Sequence, residues 1–171
     1  VSYLIEQGHR EIAVIGGDPD ISDTSRMRLA GCLRAMQRSG IDGPVAREAN
    51  LYSYEGGYCT TRRILASGVS FTALFAMADV MAVGAIRALR DAGYRVPEDV
   101  SVCGFDGLPL SDFYLPQLTT VRQAADEIAD HGARLLLDSI EQTGTARRHE
   151  TIPFSLAKRE SVRTLRTNTS E

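Results

Sequence analysis

Ile12-Ala13-Val14-Ile15-Gly16-Gly17 is a run of four apolar residues closed by two glycines. It does not alternate with polar residues, the pattern of a strand covered by helices on both faces. After it, Leu29, Leu33 and Met36 recur on one helical face, and the stretch stops at Gly40, a left-handed helix terminus.

The same pair of patterns repeats outward from there. A weaker strand over residues 45–49 precedes a helix with Gly57, Thr61, Ile64 and Leu65 on one side and Gly68 at its end. Ala73-Leu74-Phe75-Ala76 reads as the third strand. The helix over residues 79–92 places Met81, Ala85, Ala88 and Leu89 at i, i+4, i+7 and i+8, and ends at Gly93 ahead of Pro97. Val100-Ser101-Val102-Cys103 reads as the fourth strand. Short apolar runs alternating with helical stretches spell βαβ units, so the chain is predicted to be α/β, with a doubly wound parallel sheet.

From residue 104 to 118 the text is turn-rich, with Pro109 and Pro116, before a short strand or hinge at Thr119-Thr120-Val121. A last helix is predicted over residues 126–141, with Ile128, Gly132, Leu135, Leu136 and Ile140 inward. A strand around residues 152–156 follows, and the polar stretch 164–171 has the composition of a disordered tail.

At 171 residues there is material for one ordinary domain with a hydrophobic core and none for a second large one. No apolar run approaches the roughly 20 residues that span a bilayer. The net charge is −3 and the basic residues are scattered apart from Arg62-Arg63 and Arg147-Arg148. Gripping phosphates needs clustered positive charge, so this part of the protein is not expected to hold nucleic acid by itself. Cys32, Cys59 and Cys103 are odd in number and far apart, which fits a reducing cytoplasm and a role as small buried hydrophobes. The opening at Val1 lacks an initiator Met and a leader, so we expect a fragment of a longer polypeptide.

The residues also carry a resemblance. Gly8-His9-Arg10-Glu11-Ile12-Ala13-Val14-Ile15-Gly16-Gly17 resembles the G-H-R-x-I-A-x-I-G-G motif of the lactose-repressor/galactose-repressor (LacI/GalR) family. Arg28-Leu29-Ala30-Gly31 resembles its effector-helix motif. Ala78-Asp79-Val80-Met81-Ala82-Val83-Gly84-Ala85 resembles N-D-x-M-A-x-G-A with Ala78 in place of Asn. Val96-Pro97-Glu98-Asp99-Val100-Ser101-Val102-Cys103-Gly104-Phe105-Asp106 resembles V-P-E-D-V-S-V-x-G-F-D, and Leu118-Thr119-Thr120-Val121-Arg122-Gln123 resembles the segment that returns towards the other lobe. The matches keep their order over roughly residues 1 to 161.

The resemblance implies a periplasmic-binding-protein-like lobe of a two-lobed sensor. On that reading residues 1–121 form the C-terminal lobe, residues 122–144 a helix that packs into the N-terminal lobe, and residues 145–163 a return strand region. The DNA-binding head and most of the N-terminal lobe would lie outside the chain. The implied partners are a small-molecule effector, sugar or purine-like, a second copy in a homodimer, and operator DNA through the absent helix-turn-helix. No cofactor is implied.

The resemblance gives Arg28 the role of gripping the effector, for which its planar fork of donors suits it; the alternative is a solvated helix arginine like Arg26 or Arg34. Asp106 ends a strand at the carboxyl edge of the sheet, where open α/β folds bind ligands; the alternative is a turn-forming Asp before Gly107. Tyr52 falls where the family stacks an aromatic on the effector, with Tyr54 two residues away and a core or surface role open to either. Asp79 is a further effector candidate or a helix cap. Ala78 lacks the amide that sugar-binding members use, which weakens the case for a simple hexose or pentose. Met81, Ala82 and Ala85 on one helix, with Leu108 in the loop that follows Asp106, resemble the surface through which C-terminal lobes pair; the alternative is packing against the sheet.

Gly16-Gly17-Asp18 is no phosphate loop, since neither G-x-G-x-x-G nor a Walker sequence occurs. His9, His131 and His149 are dispersed and lack partners at metal-ligand spacing, so no metal is expected. Nothing in the sequence proposes an enzymatic reaction. A secreted sugar-binding protein of the same fold is the competing expectation, and a small α/β enzyme the third.

Overall fold

The computed structural model describes residues 1–141 and 150–165. The elements in chain order are α1 (Ser2–Glu6), β1 (Ile12–Gly16), α2 (Asp23–Arg38), β2 (Ala46–Ala49), α3 (Tyr54–Ala66), β3 (Ala73–Ala76), α4 (Asp79–Asp91), β4 (Ser101–Asp106), α5 (Leu110–Phe113), β5 (Thr119–Gln123), α6 (Ala125–Glu141) and β6 (Phe154–Ala157). They build one six-stranded sheet in the order β2-β1-β3-β4-β5-β6. The first five strands are all parallel to one another.

One feature departs from the expected parallel sheet: β6 pairs antiparallel with β5, Val121 opposite Leu156. It is an edge strand, returning after α6, and an antiparallel edge on a parallel sheet is common in doubly wound folds.

The period of two along β1 sorts its side chains between two cores. Ile12 and Val14 face α1 and α2, where they meet Leu4, Leu29, Cys32, Met36 and Phe75. Ala13 and Ile15 face α3 and α4, where they meet Ile64, Leu74, Met81, Ala85 and Leu89. Each large aliphatic side chain removed from water contributes roughly 1.5–3 kcal/mol, which is why helices are held to both faces. Burial pushes the thiols of Cys32 and Cys103 up to about 11, so both are protonated at neutral pH and serve as small apolar side chains.

Local signals set the helix ends. Ser22 and Ser53 cap α2 and α3, accepting from the amides of Ser25 and Gly56. Gly40, Gly68 and Gly93 follow α2, α3 and α4 at positive φ, as their place in the sequence predicted.

Two helices on one face approach unusually closely. A Cβ at Gly57 of α3 would meet the backbone of Met81, and one at Gly84 of α4 would meet the backbone of Tyr54 and Tyr58. Only glycine at these two positions lets α3 and α4 interlock while both still rest on the sheet.

The last helix differs from its expected packing. No residue of α6 is buried, and Ile128, Leu136 and Ile140 are exposed rather than inward, as is Leu137. No other described element covers that face.

The C-terminal segment is also more ordered than its composition suggested. The backbone of Ser161 pairs with Val102 and with Gln117, and the Ser161 hydroxyl bridges the Thr119 amide and the Val102 carbonyl. His9 has no exposed surface; its Nδ1 lies 3.0 Å from the Thr72 hydroxyl and its Nε2 3.1 Å from the Arg163 carbonyl. Thr164 donates to the Gln7 side chain and the Leu165 amide to the Gln7 carbonyl. Residues 164 and 165 are thus fastened to the end of α1, which corrects the reading of a tail disordered from 164; residues 166–171, and residues 142–149 of the expected helix and return region, lie outside the described residues. Among the described residues no helix is long and apolar enough to cross a membrane.

Candidate functional site

The carboxyl ends of β1, β3, β4 and β5 gather at one edge of the sheet, and the polar cluster of the molecule forms there. After β1 the chain turns at Gly16-Gly17 towards α2. A Cβ on Gly17 would lie 2.7 Å from the Tyr52 ring, so the missing side chain lets Tyr52 lie against the turn. The Tyr52 hydroxyl is 2.9 Å from the hydroxyl of Ser25, a buried residue of the first turn of α2.

Arg28 stands one turn beyond Ser25. Its guanidinium donates to Asp106 Oδ1 at 3.0 Å and to the carbonyl of Met77, the residue after β3. The Gln123 side-chain amide, at the end of β5, donates to the same Asp106 oxygen at 2.9 Å. The Phe105 ring lies 4.2 Å from the guanidinium carbon and the Tyr52 ring 5.7 Å from it. An aromatic face beside a guanidinium adds cation–π attraction and keeps water from one side of the charge.

Asp106 adopts φ +113°, a region L residues rarely enter. Holding it there costs on the order of 1–3 kcal/mol, and such strain collects at sites where a side chain must be aimed. Burial raises the Asp106 carboxyl above the ordinary aspartate range, while the Arg28 charge and the bonds from Arg28 and Gln123 pull it back. The ion pair is three-quarters or more shielded from solvent, with side-chain exposures of 18% and 24%. Among the described residues nothing bonds Asp106 Oδ2, which keeps its acceptor capacity, and the guanidinium keeps N–H groups beyond the two it uses.

Two recesses adjoin the cluster. A groove of about 620 Å³ is lined by Arg28, Gln123 and Phe105 together with Met27, Ile128 and Phe154. A smaller one of about 250 Å³ lies at the ends of β1 and β2, between Gly16, Gly17, Asp18 and Glu48.

The structure thus brings Arg28, Asp106 and Tyr52 together, and separates Asp79 from them. Asp79 has no exposed surface. Its Oδ1 accepts from the Thr120 hydroxyl at 2.6 Å and its Oδ2 from the Leu108 amide at 2.8 Å. Both oxygens are committed inside the molecule, so the expectation that Asp79 touches an effector is corrected to an internal role. Nor does it cap α4, whose N-cap is Ala78 without a side-chain bond.

The expected pairing surface is corrected in the same way for three of its four residues. Met81, Ala82 and Ala85 are fully buried, packed against the sheet and α3, and have nothing left to offer a second copy. Leu108 is exposed, and so are Phe113 at the end of α5 and Leu115 after it.

Sequence reasoning did not single out Ser25, Phe105 or Gln123 as site residues. Ser25 is three positions before Arg28 on one helix face, a visible signal. Gln123 joins only because β5 lies beside β4 with Arg122 opposite Asp106, a pairing that no local pattern encodes.

A doubly wound sheet in the order 2-1-3-4-5 with an antiparallel sixth strand at its edge defines the open α/β class, whose carboxyl edge, here holding strained and charged residues, is where such folds bind ligands. The family described as periplasmic binding protein-like domain matches residues 1–162. A relative, "HTH-type transcriptional repressor PurR" of Pasteurella multocida (strain Pm70), is 35% identical over 162 residues, covering 94% of this chain and 48% of its own length. Among solved structures, the lac repressor dimer bound to operator and the anti-inducer ONPF superposes with a TM-score of 0.87 at 34% identity, covering 94% of this chain and 55% of that one. A LacI-family regulator from Enterococcus faecium with bound ribose gives a TM-score of 0.87 at 28% identity, over 96% and 61% of the two chains. The chain belongs to the periplasmic binding protein-like domain family, in its LacI/GalR branch. It spans about half the length of the curated relatives it matches.

Proposed function

We propose that these residues are the effector-sensing and dimer-forming part of a cytoplasmic DNA-binding repressor, not an enzyme. The observation that carries the reading is the shielded Arg28–Asp106 pair, aimed by a strained backbone and flanked by Phe105 and Tyr52. A planar donor fork, an open carboxylate oxygen and two aromatic faces suit a small neutral ligand that offers both donors and acceptors, a sugar or a purine-like ring. Arg28, Asp106 and Tyr52 contact it, with Gln123 holding Asp106 in place.

Two surfaces left unpartnered among the described residues support the rest of the assembly. The apolar face of α6 packs into an N-terminal lobe that closes over the effector, and the exposed Leu108, Phe113 and Leu115 pair with a second copy. Operator DNA is held by a helix-turn-helix outside this chain. The relatives of this sequence are repressors, which favours this reading over a secreted sugar-binding protein.

The test is selection of duplexes from a random-sequence pool by the full-length protein. A two-fold symmetric dimer enriches palindromic sites, and small-molecule extract changes their affinity. Arg28→Met is expected to keep the selected site and lose the response to extract. Failure to enrich any sequence, or a full response in Arg28→Met, would defeat the proposal.

A further inference from the structure

We propose that Asp79 is the positioning residue that couples the Arg28–Asp106 cluster to the exposed surface of residues 108–115, by holding the turn between them in one conformation. What the two ends of that turn do rests on the function proposed above. The coupling itself rests on geometry.

β4 leaves the sheet through two successive residues at positive φ, Asp106 at +113° and Gly107 at +74°. That reversal points the Leu108 amide back to the first turn of α4, where Asp79 Oδ2 accepts it. The other carboxylate oxygen is held by Thr120 on the neighbouring strand. The slot for this carboxylate is provided by Gly104, where a Cβ would collide with Asp79 Oδ1 and come within 3.0 Å of Leu118. One buried carboxylate therefore ties α4, β5 and the turn together.

The two sides of the turn then depend on that anchor. On one side Asp106 Oδ1 reaches Arg28 and Gln123. On the other, the Leu108 carbonyl accepts from the amide and hydroxyl of Ser111 and so starts α5. Arg159 clamps the far end through Ser111, the Leu118 carbonyl and Asp112. Between these clamps hang the exposed Phe113 and Leu115. A ligand that shifts Asp106 must move Leu108 against Asp79, and a partner seated on Phe113 must do the same in reverse, which is the reciprocity that coupling between two sites requires.

Two variants separate positioning from charge. Asp79→Leu removes both bonds. Asp79→Asn also removes the charge, but its amide oxygen still accepts from Leu108 and its amide nitrogen donates to Thr120, whose hydroxyl reverses its role. In the purified protein, hydrogen exchange at the Leu108 amide is expected to rise about tenfold or more in Asp79→Leu, the scale of a lost bond to a charged group, and to stay near wild type in Asp79→Asn. The Asp106 carboxyl, followed by NMR, is expected to titrate lower in the Leu variant than in the Asn variant, because it swings out to water. In sedimentation equilibrium the Leu variant dimer is weakened by a similar factor.

A folded Asp79→Leu protein that melts earlier while Leu108 exchange and Asp106 titration match the Asn variant would overturn the proposal, and so would a change at only one of the two. Should Asp79→Leu fail to fold, Thr120→Val removes one arm of the anchor and is expected to move both readouts in the same direction by less; no movement in either overturns the idea. A wild-type protein that stays monomeric removes the dimer from the proposed function, while the two local readouts still decide the role of Asp79.

Discussion

Gly84→Ala sets two physical effects against each other. In a helix interior, alanine is favoured over glycine by about 1 kcal/mol. Against that, the new Cβ would meet the Tyr54 carbonyl, with the Tyr58 amide at 2.8 Å and the Tyr54 carbonyl carbon at 3.0 Å. All three obstacles are backbone, so no side chain can swing aside and α3 must move off α4. Overpacking typically costs 1–3 kcal/mol, and a backbone obstacle puts this case at about 3. The net expectation is a loss of about 2 kcal/mol, or roughly 4–8 °C in Tm for a chain of this size.

Gly132→Ala is the internal control. It lies in the exposed α6 with nothing within 4 Å of its added Cβ, so propensity alone acts and stability is unchanged or rises by up to about 1 kcal/mol. Urea unfolding followed by far-UV circular dichroism reads both variants, with an unchanged slope confirming that stability alone has moved. A Gly84→Ala protein as stable as wild type, or more so, would refute the close-approach argument.

Two further outcomes follow from particular residues. Burial holds folded His9 below its ordinary value of 6.5, against the opposing pull of its bond to the Arg163 carbonyl and with a smaller push the same way from the Arg163 charge. The unfolded chain therefore takes up a proton first, so the stability His9 supports is complete above pH 6.5 and declines as the pH falls from there through the folded value. Urea midpoints across that window are expected to fall for wild type and to flatten in His9→Gln; parallel curves would count against a buried neutral histidine. At the surface, Phe113 is 84% exposed and Leu115 70%, and Phe113→Asp is expected to weaken the dimer by about tenfold or more in sedimentation equilibrium. An unchanged dimer would place the pairing surface elsewhere.

Much of the lobe was legible locally. The runs at Ile12 and Ala73, each followed by a helical stretch and a glycine, predicted β1, β3 and helices α2 and α4, and the run at Val100 predicted β4. Ordered motifs then singled out Arg28 and Asp106. Where reading failed, the missing information was always a neighbour distant in sequence. The small face of α4 looked ready for a second copy, but Gly57 of α3 had already closed on it. Asp79 looked like an effector contact or a cap, but Thr120 and Leu108 had taken both oxygens. The apolar residues of α6 looked inward, yet no other described element covers them.

The sequence by itself determined the longer helices and the apolar strands, and which charged residues stand at strand ends, because periodicity and capping act over a few neighbouring residues. Only the tertiary structure decided that β6 runs antiparallel on the edge, that Gln123 joins Arg28 and Asp106, and that Met81, Ala82, Ala85 and Asp79 are interior. Those outcomes depend on which strand lies beside which and how closely two helices approach. They arise from contacts between residues tens of positions apart, which leave no mark on local pattern.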